Sequence, residues 1–77
     1  MKVFDKVTDL ILMQLPVSED KVTMDAKLVD DLGADSANLM MLIMDLESEY
    51  DMTVEDDALG TINTVGDIVN YIESRKA

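Results

Sequence analysis

Apolar residues recur every three to four positions in three stretches of the chain, and the intervals between them are polar or broken by proline and glycine. Val3, Val7, Leu10, Ile11 and Leu15 share one helical face, and Pro16 closes the segment because the residue before a proline is pushed away from helical angles. A first helix is therefore expected over roughly residues 3 to 15. Phe4, Leu12 and Met13 widen its apolar face, which leaves open whether they are buried or form a surface patch. From Val17 to Ala34 the periodicity lapses, and Val22, Leu28 and Leu32 read as anchors of a long loop that turns at Gly33. Asp35 is a candidate N-cap for a helix from Ser36 to about Tyr50, where Leu39, Leu42, Ile43, Leu46 and Tyr50 form the core stripe. Asp51 to Asp57 reads as an acidic loop, followed by a short helical turn at Ala58, Leu59 and Ile62 broken by Gly60. The last helix starts at a Thr64 cap with Asp67 as its capping-box partner. It buries Val65, Ile68, Val69 and Ile72 with Tyr71 beside them, and places Arg75 and Lys76 at the negative end of its dipole. Gly66 weakens its first turn.

The expected architecture is all-α, a small antiparallel helical bundle of three main helices plus one short helix. Seventy-seven residues suit a single domain spanning 1–77, since two would each lack the interior to offset chain entropy. An apolar content of 48%, arranged periodically, separates the chain from disordered acidic tails of similar charge. There is no apolar run long enough to span a bilayer, and Asp5 comes too early for a signal peptide, so a cytoplasmic location without stable membrane insertion is expected. The lack of cysteine fits that compartment.

Charge narrows the function classes. A formal net charge of −11 opposes nucleic-acid binding, which needs Lys and Arg to displace phosphate counterions. No basic residue lies between Lys27 and Arg75, so that half of the chain presents a field suited to basic protein partners. Catalysis is not expected: the chain has no histidine or cysteine, and its serines lack a base to activate them. Neither acidic cluster, Asp30, Asp31 and Asp35 or Glu55, Asp56 and Asp57, has the ligand alternation of a calcium loop, and no metal site is assigned.

Ser36 is the residue on which function turns. Serine at a helix start has a purely structural explanation, yet the same position offers unpaired N–H groups and a positive dipole end to a phosphate. The segment Asp30-Asp31-Leu32-Gly33-Ala34-Asp35-Ser36, followed by a periodic run ending Leu46-Glu47-Ser48-Glu49-Tyr50, resembles the acyl carrier proteins. The likeness extends from Val7 and Leu15-Pro16-Val17 through Val22 to Thr64-Val65 and Tyr71-Ile72. It implies that Ser36 bears a covalent 4′-phosphopantetheine arm donated by coenzyme A, with Asp35 both capping the helix and meeting the transferase. Acyl groups would ride as thioesters on that arm, most plainly in fatty acid biosynthesis. A dedicated carrier for polyketide, specialised lipid or peptide assembly is the alternative within the family. From another class, a cofactor-free Met-rich adaptor that grips basic amphipathic helices shares the same composition.

The resemblance also implies partners: a phosphopantetheinyl transferase and acyl-processing enzymes with basic or apolar docking patches, met by a monomer. Ala37 stands where the family usually has leucine, and Asn38 and Met41 where charge is common. Ala37, Met40, Met41 and Met44 cluster beside Ser36 with Glu47 at their border, and this side of the second helix is the candidate docking face. Leu46, Leu59, Ile62 and Ile68 are expected around any space for cargo, a pocket closed when empty and suited to short or medium chains.

Overall fold

The computed structural model describes residues 2–76 and consists of α1 (Val3–Gln14), a single 3-10 turn at Glu19–Lys21, α2 (Ser36–Tyr50), α3 (Asp56–Leu59) and α4 (Val65–Lys76). α1 ends one residue before the expected boundary: the Leu15 N–H still donates to the Ile11 carbonyl, but Leu15 is already extended ahead of Pro16. α2 has the limits expected from its apolar pattern. α3 begins at Asp56, earlier than its apolar residues suggest, and the Thr61 hydroxyl bonds the Ala58 carbonyl to close the turn after it.

α1 packs against both α2 and α4. Lys6 of its first turns forms an ion pair with Glu49 at 2.7 Å, and Gln14 at its end donates to Asp45 at 2.8 Å, so α1 and α2 run antiparallel. The Glu49 carboxylate holds the Lys6 ammonium above its ordinary pKa. Exposed as it is, such a pair contributes little to stability and serves to fix orientation. The core is built from Val7, Leu10 and Ile11 of α1, Leu42, Ile43 and Leu46 of α2, and Val65, Ile68, Val69 and Ile72 of α4. Phe4 and Leu12 pack against it half-buried, whereas Met13 is 78% exposed. Leu39 and Tyr50, expected in the core stripe, are also only half-buried at its margin.

The long loop is tied down more firmly than its polar sequence suggests. Val22, Ala26, Leu28, Leu32 and Ala34 are all buried, and Gly33 adopts φ 74°, a turn that a side chain would strain. Three backbone hydrogen bonds clasp this loop to the start of α4: Leu28 N–H to the Asn63 carbonyl (2.9 Å), Val65 N–H to Ala26 (3.0 Å) and Gly66 N–H to Met24 (2.9 Å). The next donor, the Asp67 N–H, bonds the Thr64 hydroxyl at 3.1 Å while the Asp67 carboxylate accepts from the Thr64 N–H at 3.1 Å and the Asn63 N–H at 2.9 Å. The capping box read from Thr64 and Asp67 is therefore formed, and together with the clasp it satisfies the donors that a helix start leaves orphaned. Those two backbone N–H groups also hold the Asp67 carboxyl below the usual aspartate pKa. Gly66 is required at this point: a Cβ there would lie 2.8 Å from the Met24 carbonyl oxygen.

Candidate functional site

α2 begins at an Asp35 whose extended backbone and carboxylate cap it. The Asp35 carboxylate accepts from the Asn38 N–H at 2.9 Å, and the Asn38 side-chain oxygen accepts from the Asp35 N–H at 3.3 Å. This is a capping box with asparagine in place of the usual Glu or Gln, so Asn38 has a local structural role that its position in the sequence did not reveal. Ser36 is the first helical residue and is exposed. Among the described contacts its hydroxyl has no hydrogen-bond partner, and the N–H groups of Ser36 and Ala37 have no acceptor. With Asp35 serving the Asn38 donor, the open end of the helix is concentrated at these two residues.

A cleft of about 180 Å³ opens beside Ser36, lined by Leu39, Met40 and Ile43 of α2 and by Leu59 and Ile62 from α3 and its following turn. Leu39, Leu59 and Ile62 also line a larger cleft of about 530 Å³ that extends to Lys27, Leu28, Val29, Asp30 and Asn63. The expected cargo space is corrected on two counts. Leu46 and Ile68 are each 1% exposed and belong to the packed interior, so only Leu59 and Ile62 of the four expected residues line it. The smaller cleft also reaches the surface next to Ser36 instead of being sealed, because α3 is a single turn whose side chains only partly cover α2.

The residues assigned to the docking face lie where the helical geometry puts them. Ala37, Met40, Met41 and Met44 are exposed, on the side opposite the buried Leu42 and Leu46, and Met40 also reaches the cleft. Glu47 differs: it is half-buried, and its carboxylate accepts from the Val54 N–H at 2.8 Å. Its carbonyl accepts from the Met52 N–H at 3.1 Å and from the N–H of Asp51, which ends α2 at φ 50°. Glu47 thus holds the turn that brings the chain from α2 toward α3. A sequence motif does not announce that task, because the bond reaches seven positions ahead, from the last turn of α2 into the loop.

Comparison with known proteins accounts for this arrangement. The family model described as the phosphopantetheine attachment site matches residues 5–72. The chain is 53% identical over 74 residues to an acyl carrier protein of Thermotoga maritima, an alignment covering 96% of this chain and 91% of that protein. The fold matches the solved structure of an acyl carrier protein from Enterococcus faecalis with a TM-score of 0.81 and 35% identity, over 96% of this chain and 98% of that one. The chain belongs to the acyl carrier protein family, whose members are carriers of acyl groups and not catalysts. Its cofactor is accordingly a covalently attached phosphopantetheine arm.

Proposed function

We propose that Ser36 is the attachment point of the arm and that the chain carries intermediates of fatty acid biosynthesis as a cytoplasmic monomer. The observation that carries the assignment is the position of Ser36: an exposed, unpartnered hydroxyl on the first turn of α2, at the mouth of an apolar cleft. Ser36 Oγ supplies the nucleophile toward the pyrophosphate of coenzyme A. A phosphodiester bond forms at Oγ as the pyrophosphate bond breaks, the adenosine 3′,5′-bisphosphate half of coenzyme A departs with the bonding pair, and the hydroxyl proton passes to a base of the transferase. The free N–H groups of Ser36 and Ala37 suit the resulting negative charge. When bound, the arm contributes a terminal thiol for thioester formation, which a chain without cysteine lacks.

Leu39, Ile43, Leu59 and Ile62 then shelter the cargo from water, while Ala37, Met40, Met41 and Met44 meet partner enzymes through apolar contact. Asp35, exposed beside them, adds a carboxylate for basic patches on those enzymes. Glu47 contributes to docking chiefly by fixing the turn after α2, given its bond to Val54. Incubation with a phosphopantetheinyl transferase, coenzyme A and magnesium, followed by mass spectrometry, tests the assignment. The expected product bears one addition, on Ser36, and Ser36→Ala stays folded and accepts none. Modification of Ser36→Ala at another serine would overturn it.

A further inference from the structure

Three of the seven methionines stand within five residues of α2, and Met40, Met41 and Met44 are 51%, 49% and 55% exposed. Large apolar side chains exposed together at this density mark a contact surface, and here the contact is with thioethers. The chain has no cysteine, so before the arm is attached these thioethers, with those of exposed Met13 and Met24, are the soft nucleophiles that a peroxide meets. We propose that Met40, Met41 and Met44 form an oxidation site, whose conversion to sulfoxide by a peroxide weakens the docking of partner enzymes around Ser36. The inference rests on the reading of this side of α2 as the docking face.

The reaction balances without help from the protein. The thioether sulfur attacks one oxygen of hydrogen peroxide, an S–O bond forms as the O–O bond breaks, and the leaving hydroxide takes the proton of the transferred oxygen to depart as water. Sulfur is oxidised by two electrons and the peroxide is reduced. The product side chain is polar and chiral, with a strong hydrogen-bond acceptor where an apolar contact stood. At Met40 the change falls in the wall of the cleft that Ser36 also lines. The fold is insulated from it, because the buried side of this helix is Leu42, Ile43 and Leu46. Met13 provides an internal control: it is 78% exposed and equally open to peroxide, but it lies on α1.

The test treats the full chain, before attachment of the arm, with hydrogen peroxide and maps sulfoxide by peptide mass spectrometry. Loading by phosphopantetheinyl transferase is then measured, together with the melting temperature. Sulfoxide at Met40, Met41 and Met44 is expected to raise the KM for the protein by roughly five- to tenfold, the loss of about one modest interface contact. The melting temperature should stay close to that of the untreated chain, and methionine sulfoxide reductases should restore loading. A triple Met40→Leu, Met41→Leu, Met44→Leu chain should lose this sensitivity relative to its own untreated sample, whereas Met13→Leu should keep it. Equal loading of oxidised and untreated protein would overturn the proposal. So would persistent sensitivity in the triple variant, or loss of loading in step with a fall in melting temperature. If the untreated chain were not loaded at all, the assignment of Ser36 itself would fail, a result distinct from any of these.

Discussion

Gly66→Ala sets two effects of opposite sign against each other. Alanine inside a helix is favoured over glycine by up to about 1 kcal/mol, so propensity alone predicts a more stable protein. The structure predicts the reverse, because the new Cβ would lie 2.8 Å from the Met24 carbonyl oxygen and 3.4 Å from the Met24 methyl carbon. Relieving the backbone contact requires a displacement of roughly 0.5 Å, which would stretch the Gly66 to Met24 hydrogen bond to about 3.4 Å, outside good geometry. Met24 cannot withdraw alone, since the Ala26 and Leu28 bonds to Val65 and Asn63 hold the same stretch of loop. Losing the bond costs about 1 kcal/mol and the crowding a further ~1–3 kcal/mol, against a propensity gain of up to about 1 kcal/mol. The net expectation is a destabilisation of about 1–3 kcal/mol, or a fall in melting temperature of roughly 5–20 °C for a domain of this size. Thermal melts followed by circular dichroism, with urea titrations to confirm an unchanged m value, would measure it. A variant that melts at or above the wild-type temperature would show that the loop yields freely and refute the reasoning.

Three further outcomes are expected. Asp35→Ala should lower stability by about 1 kcal/mol through loss of the cap, and Asp35→Asn by only a few tenths; slower loading of the well-folded Asn variant would reveal a contact between this carboxylate and the transferase, and wild-type melting of the Ala variant would contradict the cap. Because its folded pKa is depressed, Asp67 contributes stability that is fully present above the ordinary aspartate value and lost as pH falls through the lower folded value, so the gap between wild type and Asp67→Ala in urea titrations should shrink below about pH 4. A cleft of about 180 Å³ has room for roughly six groups of methylene or water size, so thermal protection by acyl cargo should rise with chain length and then level off; protection that keeps rising to the longest chains would mean that the larger cleft is recruited.

Much of the helical framework was legible in the sequence, because it rests on periodicity and punctuation. Pro16 and the Val3 to Leu15 stripe bound α1, Asp35 and the uninterrupted run to Tyr50 bound α2, and Thr64 with Asp67 announces α4. Ser36 stood out for the same reason: its signal is local, one serine at a helix start within a dense motif. What escaped the sequence reading is either an unusual residue in a familiar local motif or a contact between residues well apart in sequence. Asn38 serves as a capping-box partner although Glu or Gln is usual there, and Glu47 reaches across the following turn to Val54. Leu39 looked like a core residue on its helical face, but the short α3 leaves it at the edge of a cleft. Gly66 looked like a flaw in a helix, and only the position of Met24 shows its purpose.

The clasp between the long loop and α4 also bears on how the chain reaches its native state. Its three hydrogen bonds join residues about forty apart in sequence, while the bonds inside each helix join neighbours four apart. Helices can therefore form early and locally, whereas closing this circuit carries a much larger loss of chain freedom and comes only when α4 docks. Ser36 lies within the closed circuit, two residues beyond Ala34, whose N–H bonds the Leu28 carbonyl in that loop. A nascent or partly unfolded chain would hence display the serine without its ordered surroundings, and competence for modification should appear late, with the docking of the last helix.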